Sequence, residues 1–224
     1  LQTEPSVVPR VHSVKARVEE SVRAEWVPRC IPPEQRVLVV DLETQRSAAE
    51  VGGWSAARHM RLAIGAVWDS TDDRIHTYDE SQVEDLLAHL RRADLVVGFN
   101  IAGFDYEVLR GYTFYNLNRL PTLDLCQLVQ RSLGKRLKLD TLVQGTLGRQ
   151  KSADGLQSLE WFKEGKFDLV RDYCIKDVEL TRDLLKFALE HGYVVYARKD
   201  HGPVRIPVDI SLRPMTIPEE GAVA

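Results

Sequence analysis

Residues 36–44 read RVLVVDLET, and every side chain from 37 to 40 is aliphatic. Successive side chains of a strand point to opposite faces of its sheet. A run that is apolar at each position stays dry only where both faces are covered, so residues 36–42 predict a central strand between two layers. Acids enter at the far end of this run. Alternation puts Asp41 and Glu43 on one side, where their two carboxylates converge. Adjacent negative charges at the rim of a core repel unless something neutralises them, and a divalent cation does so best. Without such an ion, the same residues read as a strand running into a polar turn.

The rest of the chain supplies partners for that strand. Residues 61–68 (RLAIGAVW) predict a second strand, DSTDD at 69–73 a turn, and residues 74–78 a third strand, forming a hairpin. Val83, Leu86, Leu87 and Leu90 fall on one stripe of an amphipathic helix. Residues 94–99 predict another strand, followed by a short helix over 103–110 that Gly111 stops. Beyond 120 the spacing turns helical, marked first by Leu125, Leu128 and Val129, then by Leu139, Leu142, Val143 and Leu147. A long helix over 168–191 is closed by Gly192, and β-like runs at 193–198 and 203–210 around KDHG predict a terminal hairpin. Strands, a crossover helix, another strand and then helices make an α/β fold with a sheet of mixed direction. The 224 residues fit one sizeable domain, here 36–192. The Pro-punctuated residues 1–35 read as an arm or edge strand, and 193–224 as a hairpin and tail packed on the same domain.

Composition removes several classes of function. No apolar run approaches the roughly 20 residues of a membrane span, so no membrane association is expected. No basic-then-apolar leader opens the sequence, although a start at Leu1 leaves an upstream piece open. Cys30, Cys126 and Cys174 lie far apart without a CxxC pair, which suits a reducing cytoplasm rather than a disulfide framework. The histidines show no HxxxH or HxH spacing, so a histidine zinc site has no support. Net charge is −3, yet residues 131–151 set six basic side chains against Asp140 alone, leaving −8 for the remainder. That asymmetry fits an electropositive approach beside an acidic centre, and equally a solvated helical hairpin.

Two further acids matter. Asp105 lies in VVGFNIAGFDYEVL (96–109), in the first turn of the short helix, where an acid also complements the helix dipole. Asp177 follows Tyr173 by four residues in RDYCIKDVELT (171–181), so phenol and carboxylate share a helix face. Singly, each is ordinary. Jointly, three or four carboxylates from two strand ends and two helices would build a cage for two hard cations, Mg²⁺ or Mn²⁺, which bind through oxygen. Two such ions about 3.5–4 Å apart clamp the attacking and leaving oxygens of an in-line phosphoryl displacement.

DLET at 41–44, NIAGFD at 100–105 and YCIKD at 173–177 resemble, in order and spacing, the three exonuclease motifs of the DEDD superfamily. The NxxxFD form of the middle motif is similar to that of replicative polymerase exonuclease domains. The whole also resembles the bacterial stand-alone, YprB-type ribonuclease-H-like exonucleases. The motifs span about three fifths of the chain. This resemblance implies a ribonuclease-H-like mixed sheet flanked by helices, with Asp41, Glu43, Asp105 and Asp177 as ligands of two Mg²⁺ or Mn²⁺ ions. Tyr173 matches the residue that marks the Tyr subtype (DEDDy); the His subtype would carry histidine where Asp172 stands. A free tyrosine titrates near 10, too high for an efficient base at neutral pH, so Tyr173 is assigned to orienting the attacking water.

The activity so implied is a 3′–5′ exonuclease that releases nucleoside 5′-monophosphates from single-stranded ends, DNA ahead of RNA, in DNA repair or processing. Its rivals are RNA 3′-end trimming, a phosphodiesterase for very short oligonucleotides, and a retired module of the same fold that only binds nucleic acid or a partner. A helicase or polymerase partner would suit a proofreading role and is not visible in this chain. The resemblance also puts Leu42 and Thr44 against the terminal nucleotide, and Asn100 and Phe104 near the penultimate one. Phe104 reads equally as core, and Thr44 as the end of a strand. Lys135, Arg136 and Lys138 are candidates for phosphate contacts. Trp161 reads as a stacking residue or as packing, and Asp124 as a site-edge acid or a helix N-cap.

Overall fold

The computed structural model describes residues 26–149, 155–198 and 202–212. The apolar run becomes β1 (Val37–Thr44), extended to include both acids. It lies at the middle of a five-stranded sheet with β2 (Leu62–Asp69), β3 (Arg74–Asp79), β4 (Leu95–Gly98) and β5 (Thr122–Asp124), in the order β3-β2-β1-β4-β5. β1–β2 and β2–β3 pair antiparallel, whereas β1–β4 and β4–β5 pair parallel. This mixed sheet with helices on both faces is the ribonuclease-H-like architecture that the motifs implied.

Two-sided burial of β1 is visible residue by residue. Val37 and Val39 join a core with Val178, Leu184 and Leu185 of the long helix, while Leu38, Val40 and Leu42 join another with Leu86, Leu90, Tyr106 and Leu109. Each such aliphatic side chain contributes about 1.5–3 kcal/mol by leaving water. The flanking helices are α1 (Ala48–Val51), α2 (Val83–Leu90), α3 (Asp105–Leu109), α4 (Leu125–Leu133), α5 (Leu139–Leu147), α6 (Gly155–Lys163) and α7 (Phe167–His191). None of the described helices is long and apolar enough to cross a membrane.

Strands β6 (Tyr193–Arg198) and β7 (Gly202–Pro207) form a separate hairpin that lies on α5. A Cβ at Gly145 would sit 2.4 Å from the Val195 carbonyl oxygen, so only glycine permits this approach. Val195 N–H donates to Thr146 Oγ1 at 2.8 Å, fixing the hairpin to the helix. β7 ends before residue 210 because its partner strand starts only at Tyr193: Val208 N–H still donates to the Gly192 carbonyl, but the Gly192 N–H closes the long helix on the Ala188 carbonyl. Residues 26–35 form no strand; Trp26 Nε1 instead donates to the Leu189 and Glu190 carbonyls at the end of α7. The remainder of the expected arm (1–25), Lys151 of the basic segment, residues 199–201 of the expected hairpin and the expected tail beyond 212 lie outside the described residues.

Two further stretches depart from the sequence expectation. β5 arises within the part read as helical, since three residues are too few to show alternation. Residues 46–60, for which the sequence predicts no element, contain α1 and a 3₁₀ segment over Trp54–His59. Both departures adjoin the site.

Candidate metal centre

α7 crosses β1 and β2, with Val170, Cys174 and Val178 fully buried against the sheet. The Cys174 thiol donates to the Asp41 carbonyl at 3.3 Å, which docks the helix on the end of β1. That docking lifts Tyr173 and Asp177 beside the strand's two acids. Asp41, Glu43 and Asp177 each offer a carboxylate oxygen within 4.8 Å of the others. Glu43 and Asp177 are only 9% and 3% exposed.

Asp105 arrives by another route. The loop after β4 bends at Asn100, whose φ of 67° lies in the left-handed region that asparagine tolerates. Asp124, at the end of β5, holds this bend: its carboxylate accepts the N–H groups of Asn100 and Ala102, and also those of Cys126 and Gln127. One buried carboxylate thus caps α4 and shapes the loop that delivers Asp105. The N-cap reading of Asp124 stands, with a second role that depends on long-range pairing and so left no local signal.

The electrostatics share one sign. Burial, then the charge of Asp41 and further those of Asp124 and Glu43, push the Asp105 carboxyl well above the ordinary aspartate range. Burial, followed by Asp177, Glu43 and Asp41, drives the Tyr173 phenol above its usual value, and the phenol hydrogen-bonds Asp177. Cys174 is raised by burial and the same acids. Each of these groups is pushed towards its less negative form, first by burial and then by the charges of the neighbouring acids. The donor set, carboxylates from three elements, suits hard divalent cations better than softer metals.

These acids line one side of a cleft of about 1010 Å³. Leu42, Thr44, Asn100, Phe104, Arg136 and Lys138 line it as well, and Arg136 Nη2 donates to Asn100 Oδ1 at 2.5 Å. Thr44 Oγ1 donates to the Arg46 carbonyl, as befits a strand end. Phe104 is both things at once: it packs against the core and faces the cleft. Lys135 is not among the lining residues; its ammonium lies 4.9 Å above the ring of Tyr196 in the hairpin. Trp161 is a packing residue, partly buried and edge-on to Tyr173 at 6.3 Å. Sequence reasoning missed Arg46, Trp54 and Leu156, which also line the cleft. A tryptophan placed directly after Gly52-Gly53, with no apolar period around it, was the available signal.

A second group, Asp69, Asp72 and His76, also brings ligand atoms within 4.8 Å. Its character differs, because Arg36 Nη2 lies 2.5 Å and His89 Nε2 2.9 Å from Asp69 Oδ2, and the Thr71 N–H reaches Oδ1. Burial opposes ionisation of Asp69, but these partners outweigh it and hold the carboxyl far below the ordinary range.

No protein-family model matches the chain, and no curated protein matches it in sequence. In structure it is similar to the family B DNA polymerase from the hyperthermophilic archaeon Pyrobaculum calidifontis, at 18% identity and a TM-score of 0.54. The match covers 72% of this chain and 25% of the polymerase, so the chain spans about a quarter of that protein's length. At this identity the likeness speaks for the fold.

Proposed function

We propose that this chain is a two-metal-dependent 3′–5′ exonuclease acting on single-stranded nucleic-acid ends. The observation that carries the reading is the gathering of Asp41, Glu43 and Asp177, with Asp105 beside them, on the wall of a cleft that also carries Arg46, Arg136 and Lys138. Acids that hold cations, next to cations that hold phosphates, suit phosphodiester hydrolysis. The motifs support the class by their resemblance to polymerase exonuclease domains, and the fold, like that of part of a family B DNA polymerase, is compatible with it.

Asp41, Glu43, Asp105 and Asp177 would hold the Mg²⁺ or Mn²⁺ ions. When bound, such ions supply Lewis-acid stabilisation of the oxygens exchanged at phosphorus. Tyr173 donates its phenolic proton to Asp177 and keeps it at neutral pH, because its surroundings raise its pKa. Its oxygen is therefore an acceptor that orients the attacking water, rather than a base. Leu42 and Thr44 border the terminal nucleotide, Asn100 and Phe104 the one before it, and Arg136 and Lys138 neutralise strand phosphates. Water oxygen bonds to phosphorus and gives up a proton to solvent, the bond to the 3′-oxygen breaks, that oxygen takes up a proton to become the new 3′-hydroxyl, and a nucleoside 5′-monophosphate leaves a strand shortened by one residue.

A time course on 5′-labelled single-stranded DNA and RNA of matched sequence tests this, run with Mn²⁺, Mg²⁺ or chelator. A descending ladder that requires metal and disappears in Asp41→Asn is expected, faster on DNA. Faster RNA cleavage would move the reading to RNA trimming. Strand binding without any ladder would leave a binding module.

A further inference from the structure

The rim of the cleft carries an aromatic surface that the metal chemistry does not use. Trp54 is 72% exposed, and its ring meets Phe104 edge-on at 5.9 Å. Leu156, 68% exposed, lines the same cleft. Leaving a large apolar ring in water forfeits burial energy, so its position calls for a reason.

Nor is the ring on a loose loop. Gly52 and Gly53 adopt φ of 93° and 117°, a left-handed turn that side-chain-bearing residues resist. Before the turn, Ser47 and Glu50 close a reciprocal capping box on α1. Lys163 of α6 reaches Glu50 at 2.7 Å, and Ala57 and Met60 bury the far end of the 3₁₀ segment. The indole is thus presented, anchored at both ends, at the mouth of a cleft lined by Arg46, Arg136 and Lys138.

An aromatic face beside a row of cations is how sequence-tolerant sites take single strands: bases stack while phosphates are neutralised. We infer that Trp54 is a base-stacking residue that receives one unpaired base of the single-stranded 3′ segment, upstream of the scissile bond, with Phe104 buttressing its edge. This deepens the nucleic-acid reading of the cleft and rests on it. Trp54 selects for an unpaired base without choosing among bases, since every base has a π-face.

The test is equilibrium binding of a 5′-fluorescein single strand in Ca²⁺, a probe ion chosen to allow binding without turnover. Strands carrying one abasic site at each position near the 3′ end are compared with the intact strand. In wild type, base removal at one position weakens binding by about 5–150-fold, the range of one base–aromatic stack. Trp54→Ala is expected to bind the intact strand more weakly by that factor and to become indifferent to the base at that position. Trp54→Phe should retain most of the dependence, and the Mn²⁺-induced thermal shift should be unchanged in both variants, which establishes that the centre is intact. Undiminished base dependence in Trp54→Ala overturns the stacking assignment alone. A wild type that binds no strand overturns the nucleic-acid reading, and the assignment with it.

Discussion

Two buried acidic centres sit on the same sheet and solve the same problem differently. At the end of β2, Asp69 is 1% exposed and is met by a guanidinium, an imidazole and a backbone N–H. Its charge is balanced from within the protein, and its carboxyl ionises more readily than a free aspartate. At the end of β1, Asp41, Glu43, Asp105 and Asp177 gather with one another, and Asp105 is driven the other way. Burying a charge costs several kcal/mol unless a partner offsets it. Asp69 has the signature of a structural group, whereas the acids of the β1 centre form a cluster that could hold a cation. Acidity alone does not mark a functional site, and neither does burial: Asp124 is buried and driven upward as well, yet it caps α4.

The sharpest contrast is one substitution made at both centres. Asp177→Asn should lower kcat on a single-stranded substrate on the order of 10³-fold or more, with no loss of stability in chelated buffer, because a repelling charge is removed. Asp69→Asn should do the reverse, retaining activity while costing about 3 kcal/mol, the effect of breaking a buried ion pair. Urea unfolding of chelated protein, alongside steady-state kinetics, reads both.

Tyr173→Phe comes next. It removes a hydrogen bond to Asp177 from the orienting group and should reduce kcat by about 10–100-fold, with Mn²⁺ affinity within a few-fold of wild type. An equal loss of metal affinity would make Tyr173 a support of the ligand rather than of the water.

The smallest effects lie in the pH dependence of metal-free stability, and they have opposite signs. Asp69 has a depressed folded pKa, so the unfolded chain binds the extra proton. Its contribution is present above the ordinary value of 3.8 and is lost as pH falls through the depressed one. Asp105 has a raised folded pKa, so the folded chain holds the extra proton, and its contribution fades as pH climbs above 3.8. Denaturation curves from pH 2 to 8 should therefore flatten below 3.8 in Asp69→Asn and above 3.8 in Asp105→Asn.

Much of this was legible in the chain. The aliphatic run at 37–40 demanded a strand covered on both faces, and both cores of the molecule meet there. Asp41 and Glu43 followed from period-two alternation, and Tyr173 with Asp177 from helical spacing. What escaped notice depends on distance or brevity. Arg36, Asp69 and His89 are up to 53 residues apart, so their network has no local pattern. β5 is too short to alternate, and the 3₁₀ segment that presents Trp54 has no 3.6-residue stripe. Lys135 and Arg136 are neighbours in sequence, yet one lies over the hairpin and the other lines the cleft. A charge run cannot distinguish them.

The central claim is that the β1 centre is a divalent-cation site and the β2 centre is not. Calorimetric titration of the full chain with Mn²⁺ tests it directly, comparing wild type with Asp177→Asn and Asp69→Asn. Two ions per chain are expected for wild type and for Asp69→Asn, with binding at the pair of sites lost or weakened at least tenfold in Asp177→Asn. Mn²⁺ uptake unaffected by Asp177→Asn but abolished in a folded Asp69→Asn protein would contradict the account.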